Sequence, residues 1–237
     1  MTKYRCVCFA DTHEMHNRIE MPEGDFLFFA GDMSYVGSEA AIRDFGKYIR
    51  NLPHRHKVIT GGNHDKSLEH QPISAKSWLG FGTQMQLNSC YYLEHETIEI
   101  EGLKIFSSPF SPEFFPQHWS FQLRRGNHAK KMWSKVKLGT HIVISHGPAF
   151  GILDYALGSR DHVGCEDLYN RLLEVQPVLH VTGHLHESRA VTQRSEFPNT
   201  LFVNASICTV DYKPTNKPIV VDLIQEGGKW RAELVDA

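Results

Sequence analysis

The sequence lacks a cysteine framework. Its five cysteines, Cys6, Cys8, Cys90, Cys165 and Cys208, are odd in number and form no C-x-x-C pair. A secreted disulfide scaffold and a thiolate zinc site are both disfavoured on that ground. No apolar run comes near the roughly 18 residues of a membrane span. The apolar stretch after Arg5 ends at Asp11, too soon for the core of a signal peptide. No excess of either charge exists: 25 Lys+Arg stand against 27 Asp+Glu, a formal net charge of −2. A coat for nucleic acid or a polybasic membrane binder would be strongly positive. Repeats, low-complexity tracts and convincing linkers are also missing. What remains is a reduced, cytoplasmic-type enzyme or binding protein with neither a membrane nor a stable nucleic-acid partner.

The composition is otherwise that of a globular protein, with 41% hydrophobic and 22% charged residues. A chain of 237 residues buries roughly 70–75% of its unfolded surface and needs no covalent staples. One domain over 1–237 is expected. The unusual count is 15 histidines, the residue that both ligates metals and carries protons near neutral pH.

Short runs rich in Val, Ile and Phe, without a 3.6-residue period, predict buried strands at 4–10, 26–30, 57–60, 141–145 and 178–182. Helices are expected after the Ser38 cap, with Ile42, Phe45 and Ile49 on one face, and over 128–136 and 165–175. Hairpin-like strands are expected at 91–94, 97–100, 103–107, 201–204, 219–224 and 230–234. Strand–helix alternation with late hairpins predicts an α/β protein with mixed sheets. The 109–125 stretch carries Phe110, Phe114, Phe115, Trp119 and Phe121 among Pro109, Pro112 and Pro116. Its prolines forbid a regular helix or central strand. A loop is expected, plugging the core with most of its aromatics or walling a substrate.

Each of the five predicted buried strands ends in metal-ligand residue types. They are Asp11-Thr12-His13, Gly31-Asp32, Gly62-Asn63-His64-Asp65, His146-Gly147 and Gly183-His184-Leu185-His186. Singly these blocks are weak, since an Asp after a strand usually turns or caps the chain and an H-x-H is usually two ordinary histidines. Jointly they place oxygen and imidazole donors at the carboxyl ends of strands, where open α/β sheets bind ligands.

The ordered set D-x-H, G-D, G-N-H-D, H-G and G-H-x-H resembles the calcineurin-like metallophosphoesterases. Leu52-Pro53-His54, the aromatic segment ending Arg125-Gly126, the run 204–210 and Lys213-Pro214-Thr215-Asn216 are similar to its metallophosphoesterase-domain-containing subfamily. The resemblance implies a four-layer α/β/β/α sandwich of two mixed sheets with a dinuclear metal site at the strand C-terminal rim. It implies that Asp11, His13, Asp32 and His186 hold one divalent ion. Asp32, Asn63, His146 and His184 hold the other, with Asp32 bridging. His64 is then the catalytic histidine, standing too far off to ligate. Asp65 either orients His64 or simply turns the chain.

Two dications clamp a phosphoryl displacement and acidify a bridging water. With two carboxylates and one hydroxide, such a site keeps a single net positive charge and draws a phosphodiester monoanion. Donors without thiolate suit Mn, Fe, Co, Ni or Zn, with Mn favoured. Protein phosphatases of the superfamily carry G-D-x-V-D-R-G and an Arg before G-N-H-E. Here Gly31-Asp32-Met33-Ser34 and Thr60-Gly61 stand instead, so the arginines that neutralise a dianionic monoester are missing from those positions. The expected activity is hydrolysis of small phosphodiesters, 2′,3′- or 3′,5′-cyclic nucleotides, with His64 assisting the leaving group. Arg124 or Arg125 and Trp119 are the candidates to meet phosphate or base. The alternatives are a phosphomonoesterase or nuclease on the same site, or a non-catalytic metal-binding interaction module. A metallo-β-lactamase-type hydrolase would need H-x-H-x-D-H, which is absent.

Overall fold

The computed structural model describes residues 1–82, 86–115 and 117–235. Pro116, part of the expected 109–125 loop, lies outside the described residues. Two large sheets share one plan, a parallel centre with antiparallel edges. The first runs in the order Lys229–Leu234, Ile219–Glu226, Thr2–Phe9, Phe26–Ala30, His56–Thr60, Cys90–Tyr92, Gln86–Leu87. It is parallel from Thr2–Phe9 through Cys90–Tyr92 and antiparallel outside them. The second runs Ala190–Arg194, Phe197–Asn204, Leu179–Thr182, Ile142–Ser145, Leu103–Ser108, Glu96–Ile100. Its four inner strands are parallel and both edges antiparallel.

Burial on both faces explains why the inner strands are continuous apolar runs. Successive side chains of a strand point to opposite faces. Cys6, Cys8, Phe26 and Phe28 therefore meet Ile105, Ile142, Ile144 and Val181 of the second sheet. Their neighbours Val7, Phe9, Leu27 and Phe29 face the other way, onto Ile42, Phe45 and Ile49 of helix Glu39–Asn51 and Ala75 and Leu79 of helix Pro72–Leu79. The outer face of the second sheet, Phe106, Val143 and Phe202, takes Trp133 of helix Asn127–Trp133 and Leu168 and Leu172 of helix Glu166–Val175. Three apolar interfaces separate four layers, as the expected α/β/β/α sandwich requires.

Helix Glu39–Asn51 begins where Ser38 accepts a hydrogen bond from the Ala41 N–H, with Glu39 in its first turn. Gly46 lets it meet the neighbouring helix, because a Cβ there would sit 2.5 Å from the Leu79 carbonyl oxygen. Four elements differ from the sequence reading. Helices Lys66–His70 and Pro72–Leu79 were not expected; Pro72 at the start and Gly80 at the left-handed end were signals of the second. Cys90–Tyr92 belongs to the first sheet, parallel to His56–Thr60, rather than to a hairpin with the Glu96–Ile100 strand. Strand Ala190–Arg194 is a half-exposed edge and offers no apolar alternation to read. The 109–125 stretch is mostly irregular among the described residues, with one short parallel pair, Ser111–Pro112 and Gln122–Leu123.

Two buried histidines away from the strand rim make stability depend on pH. His95 Nδ1 lies 2.9 Å from the Ser108 hydroxyl and Nε2 2.9 Å from the Met132 carbonyl. His180 Nε2 lies 2.9 Å from the Ser145 hydroxyl. Burial lowers the first to about 4 and the second to about 3. The unfolded chain titrates them near 6.5, so below that pH it binds protons that the folded state refuses. Stability should therefore fall as pH drops below 6.5, by about 1.4 kcal/mol per residue for each unit until the folded values are reached. Urea unfolding in chelator at pH 7.5 and 5.5 should show the loss, and His95→Gln should reduce it. An unchanged midpoint across that range would contradict the burial argument.

Candidate metal centre

All five strand-end blocks converge on one rim. Asp11 and His13 follow Thr2–Phe9, Asp32 follows Phe26–Ala30, and Asn63 and His64 follow His56–Thr60. From the second sheet come His146 after Ile142–Ser145, and His184 and His186 after Leu179–Thr182. A bridge between Ala10 and Ser206 ties the sheets together beside them. Asp11, His13, Asp32, Asn63 and His146 are buried, and His64, His184 and His186 half-buried.

The ligand atoms fall into three overlapping groups, each with its members within 4.8 Å of one another: Asp11, His13, His186; His13, Asp32, His64; and Asp32, His146, His184. Asn63 Oδ1 adds an amide oxygen 2.9 Å from His146 Nε2 and 2.8 Å from His184 Nδ1. His13 Nε2 and His186 Nε2 are 3.1 Å apart, and His146 Nε2 is 3.3 Å from Asp32 Oδ2. Three of the rings are fixed from behind. The Nδ1 atoms of His13, His146 and His186 meet the carbonyl oxygens of Ser34, Ala30 and Thr209 at 3.2, 2.8 and 2.9 Å. Donation of Nδ1–H to these carbonyls leaves each Nε2 lone pair facing the centre, as metal-binding imidazoles need.

The backbone is bent to achieve this. Asp11, His13, Asp32 and His184 all have positive φ, at 52°, 40°, 59° and 71°. L-residues rarely adopt this region, and strain of this kind gathers at functional sites. Gly62 and Gly183 leave the space these side chains enter. A Cβ on Gly62 would lie 2.7 Å from the Asp32 amide, and one on Gly183 would collide with the Asp11 carboxylate.

The electrostatics suit a cation. Burial lowers His13 to about 4 and His184 to about 3, so both stand neutral. Burial opposes charge on His146 as well, but Asp32 and Asp11 beside it raise it to about 9. Asp32 is the counterpart: burial would raise its pKa, and His146, His64 and His13 together hold it far below the carboxylate range. Two buried carboxylates, an amide oxygen and four imidazoles without thiolate fit divalent Mn, Fe, Co, Ni or Zn.

His64 lies closer to the centre than the expected non-ligand role suggests, since it shares a group with His13 and Asp32. Its amide donates to Asp32 Oδ1 at 2.8 Å, and its Nδ1 meets the Tyr35 carbonyl at 2.7 Å, leaving Nε2 free. That carbonyl orients the ring, which corrects the reading that Asp65 does so. Asp65 turns inward instead. Its carboxylate accepts from the amides of Asp32, Met33, Ser34 and Gly62 and from the Ser34 hydroxyl. It braces the loop that carries Asp32, while burial and the Asp32 charge push its own pKa up to about 7.

Arg125 is committed in part to the wall. It reaches the cavity above the centre, but its guanidinium donates to the Gly164 and Val163 carbonyls at 2.7 Å each and to Glu166. Three of its five N–H groups thus hold the cavity wall together. Trp119 does line the cavity. Its ring packs on His64 at 4.2 Å, with Lys66 Nζ 4.9 Å from its centroid. The aromatic segment thus serves both expected uses: Phe110 and Phe121 plug the core, and Phe114, Phe115 and Trp119 wall the cavity.

Ser206 and Asn204 were missed. The Ser206 hydroxyl lies 2.6 Å from Asp11 Oδ2 and 2.7 Å from Asn204 Oδ1, and the His184 amide donates to Asp11 at 2.9 Å. The signal was present: Asn204-Ala205-Ser206 is a sixth block of polar residues at a strand end.

Overlapping histidine–carboxylate groups at the strand rim of an α/β/β/α sandwich make up the frame of a metallophosphoesterase. The family profile of calcineurin-like phosphoesterases matches residues 5–188. The chain is 35% identical to Metallophosphoesterase domain-containing protein 1 of Homo sapiens, over 92% of this chain and 71% of that one. It is 31% identical to UPF0046 protein C25E10.12 of Caenorhabditis elegans, over 97% and 84%. Among solved structures, TT1561 of Thermus thermophilus superposes with a TM-score of 0.58 at 9% identity, covering 98% of this chain and 99% of that one. The chain belongs to the calcineurin-like phosphoesterase family, whose members are metal-dependent phosphoesterases. No helix among the described residues is long and apolar enough to cross a membrane.

Proposed function

We propose that residues 1–237 form one metallophosphoesterase domain that hydrolyses small phosphodiesters, with 2′,3′- and 3′,5′-cyclic nucleotides as candidate substrates. The observation that carries this reading is the place of Asp32 in two of the ligand groups at once. Asp11, His13, Asp32 and His186 would hold one divalent ion and Asp32, Asn63, His146 and His184 the other, with Mn the favoured metal. Bound there, the ions supply Lewis acidity toward the phosphoryl group and an activated water. The chain does the rest. Backbone carbonyls behind His13, His146 and His186 fix the rings, and Nε2 of His64, in the doubly protonated ring, would donate a proton to the leaving oxygen. Five free, buried cysteines suit a reducing, cytoplasmic setting.

Preference for a diester over a monoester rests on charge. Arg125 is the only Arg or Lys among the described cavity-lining residues, and its guanidinium is bonded to the chain. Among the described lining residues no second Arg or Lys stands beside it to neutralise the second charge of a monoester. With Mn²⁺ supplied, bis(p-nitrophenyl) phosphate should turn over faster than p-nitrophenyl phosphate, and at least one cyclic nucleotide should be cleaved. Faster monoester hydrolysis without product inhibition would favour the phosphomonoesterase reading. Stoichiometric metal with no turnover of any ester would favour a non-catalytic module.

A further inference from the structure

Resting on the phosphodiesterase reading, we infer that Tyr212 is a substrate-binding residue whose phenol O–H donates a hydrogen bond to a non-bridging oxygen of the phosphodiester. Asp32, His64, His186 and Tyr212 line one cavity of about 870 Å³, within the roughly 300–1,000 Å³ of small-molecule sites. The Tyr212 ring centroid lies 4.8 Å from that of His13, 5.2 Å from that of His186 and 6.3 Å from that of His64. Tyr212 therefore stands beside two of the imidazoles proposed for one ion and beside the ring proposed to serve the leaving oxygen. A phosphoryl group between those two functions is next to Tyr212. The ring meets His13 and His186 edge-on, at interplanar angles of 64° and 74°, so it is not stacked flat on either ligand.

The backbone holds Tyr212 there under strain. Its φ is 55°, in the left-handed region where a bulky L-residue is an outlier. The turn that carries it is tied to the centre. The Thr209 carbonyl accepts both the Tyr212 amide, at 2.8 Å, and His186 Nδ1–H, at 2.9 Å. One oxygen thus sets the place of both residues. The Thr209 amide donates to the Lys213 carbonyl at 2.9 Å, and Asn216 Nδ2 donates to the carbonyl of Ser206, whose hydroxyl bonds to Asp11. Tyr212 is nevertheless 39% exposed, and no described residue shares a hydrogen bond with its hydroxyl. Other donors in the wall are partly spent. Arg125 commits three of its five N–H groups, and the Ser159 hydroxyl lies 3.5 Å from the Ala156 carbonyl. A phenol, with a pKa of about 10, keeps its proton at neutral pH. It donates without adding charge, which suits a diester monoanion and gives a dianionic monoester no added ion pair.

Tyr212→Phe tests this, because it removes the hydroxyl and keeps the ring. In methyl p-nitrophenyl phosphate water adds to phosphorus and the bond to p-nitrophenolate breaks. On the Mn²⁺-loaded protein, kcat/KM for this ester should fall about 10- to 100-fold in Tyr212→Phe, as for loss of a hydrogen bond to a charged group. Metal content and urea midpoint should stay unchanged. The two phosphorothioate diastereomers of the same ester replace one or the other non-bridging oxygen by sulfur, a poor acceptor. Tyr212→Phe should slow one diastereomer about tenfold more than the other, a split internal to the variant that a packing role would not produce. Independently of turnover, calorimetry should show methylphosphonate bound about tenfold more weakly by Tyr212→Phe. Wild-type turnover and phosphonate affinity in Tyr212→Phe would overturn the inference, and a slow Tyr212→Ala beside them would assign the ring to packing alone. Equal slowing of both diastereomers would overturn it as well. Hydrolysis of no ester by the wild-type protein would overturn the phosphodiesterase reading, while weaker phosphonate binding by Tyr212→Phe would still support the hydroxyl contact.

Discussion

Asp32→Ala is expected to abolish dinuclear metal binding and catalysis together. One carboxylate serves two ligand groups: Asp32 stands with His13 and His64 in one and with His146 and His184 in the other. Its two oxygens are already divided between them. Oδ1 takes the His64 amide at 2.8 Å, and Oδ2 lies 3.3 Å from His146 Nε2. Removing the carboxylate withdraws the shared negative charge and frees the His64 backbone in one step. Asp32→Asn is the sharper variant, because its amide oxygen can still accept the His64 N–H and keep the loop in place while the charge is gone. Elemental analysis after desalting should give at most one ion per chain for either variant, and bis(p-nitrophenyl) phosphate turnover should fall to background. A change such as His146→Ala should respond partly to excess metal, since His146 belongs to only one group. Two ions per chain with normal turnover in Asp32→Asn would show that Asp32 does not bridge.

The rim was legible because each of the five buried runs ends in a donor, and apolar periodicity locates such runs well. The strand ends at Ala30 and Thr60 fell where they were expected. What the sequence does not carry is the direction of each bend. Asp11, His13, Asp32 and His184 turn into the left-handed region, and no glycine stands at those positions to announce it. Chain adjacency also misleads: Asp65 follows His64, yet the amide of Asp65 bonds back to the Gly62 carbonyl and its carboxylate points under Asp32. The group that does orient His64 is the Tyr35 carbonyl, and a backbone oxygen has no letter in a sequence. Arg125 illustrates the same limit. A charged residue beside an aromatic cluster suggested a substrate contact, but its partners, Val163 and Gly164, lie some 40 residues away in the chain. Ser206 is different, because a sixth polar strand end was there to be counted.

His64→Ala is expected to separate proton transfer from metal binding. The ring is held on three sides: Nδ1 meets the Tyr35 carbonyl at 2.7 Å, Trp119 packs at 4.2 Å, and His13 meets it edge-on at 4.7 Å. Only Nε2 remains to act, and a positioned acid typically contributes about 10²–10⁴-fold. A loss of that size should appear on a cyclic nucleotide, whose alkoxide leaving group needs a proton. It should shrink on p-nitrophenyl diesters, whose phenolate leaves with little help. Because His64 shares a group with His13 and Asp32, metal content must be measured on the same sample. Two ions per chain with a leaving-group-dependent loss assign His64 to the leaving oxygen. Equal losses on both substrates with the metals retained would mean that the ring stabilises charge on the phosphoryl oxygens instead. Loss of an ion, with activity restored by excess Mn²⁺, would make His64 a ligand. The Tyr35 carbonyl would then be fixing a coordinating ring, as the carbonyls behind His13, His146 and His186 do for theirs.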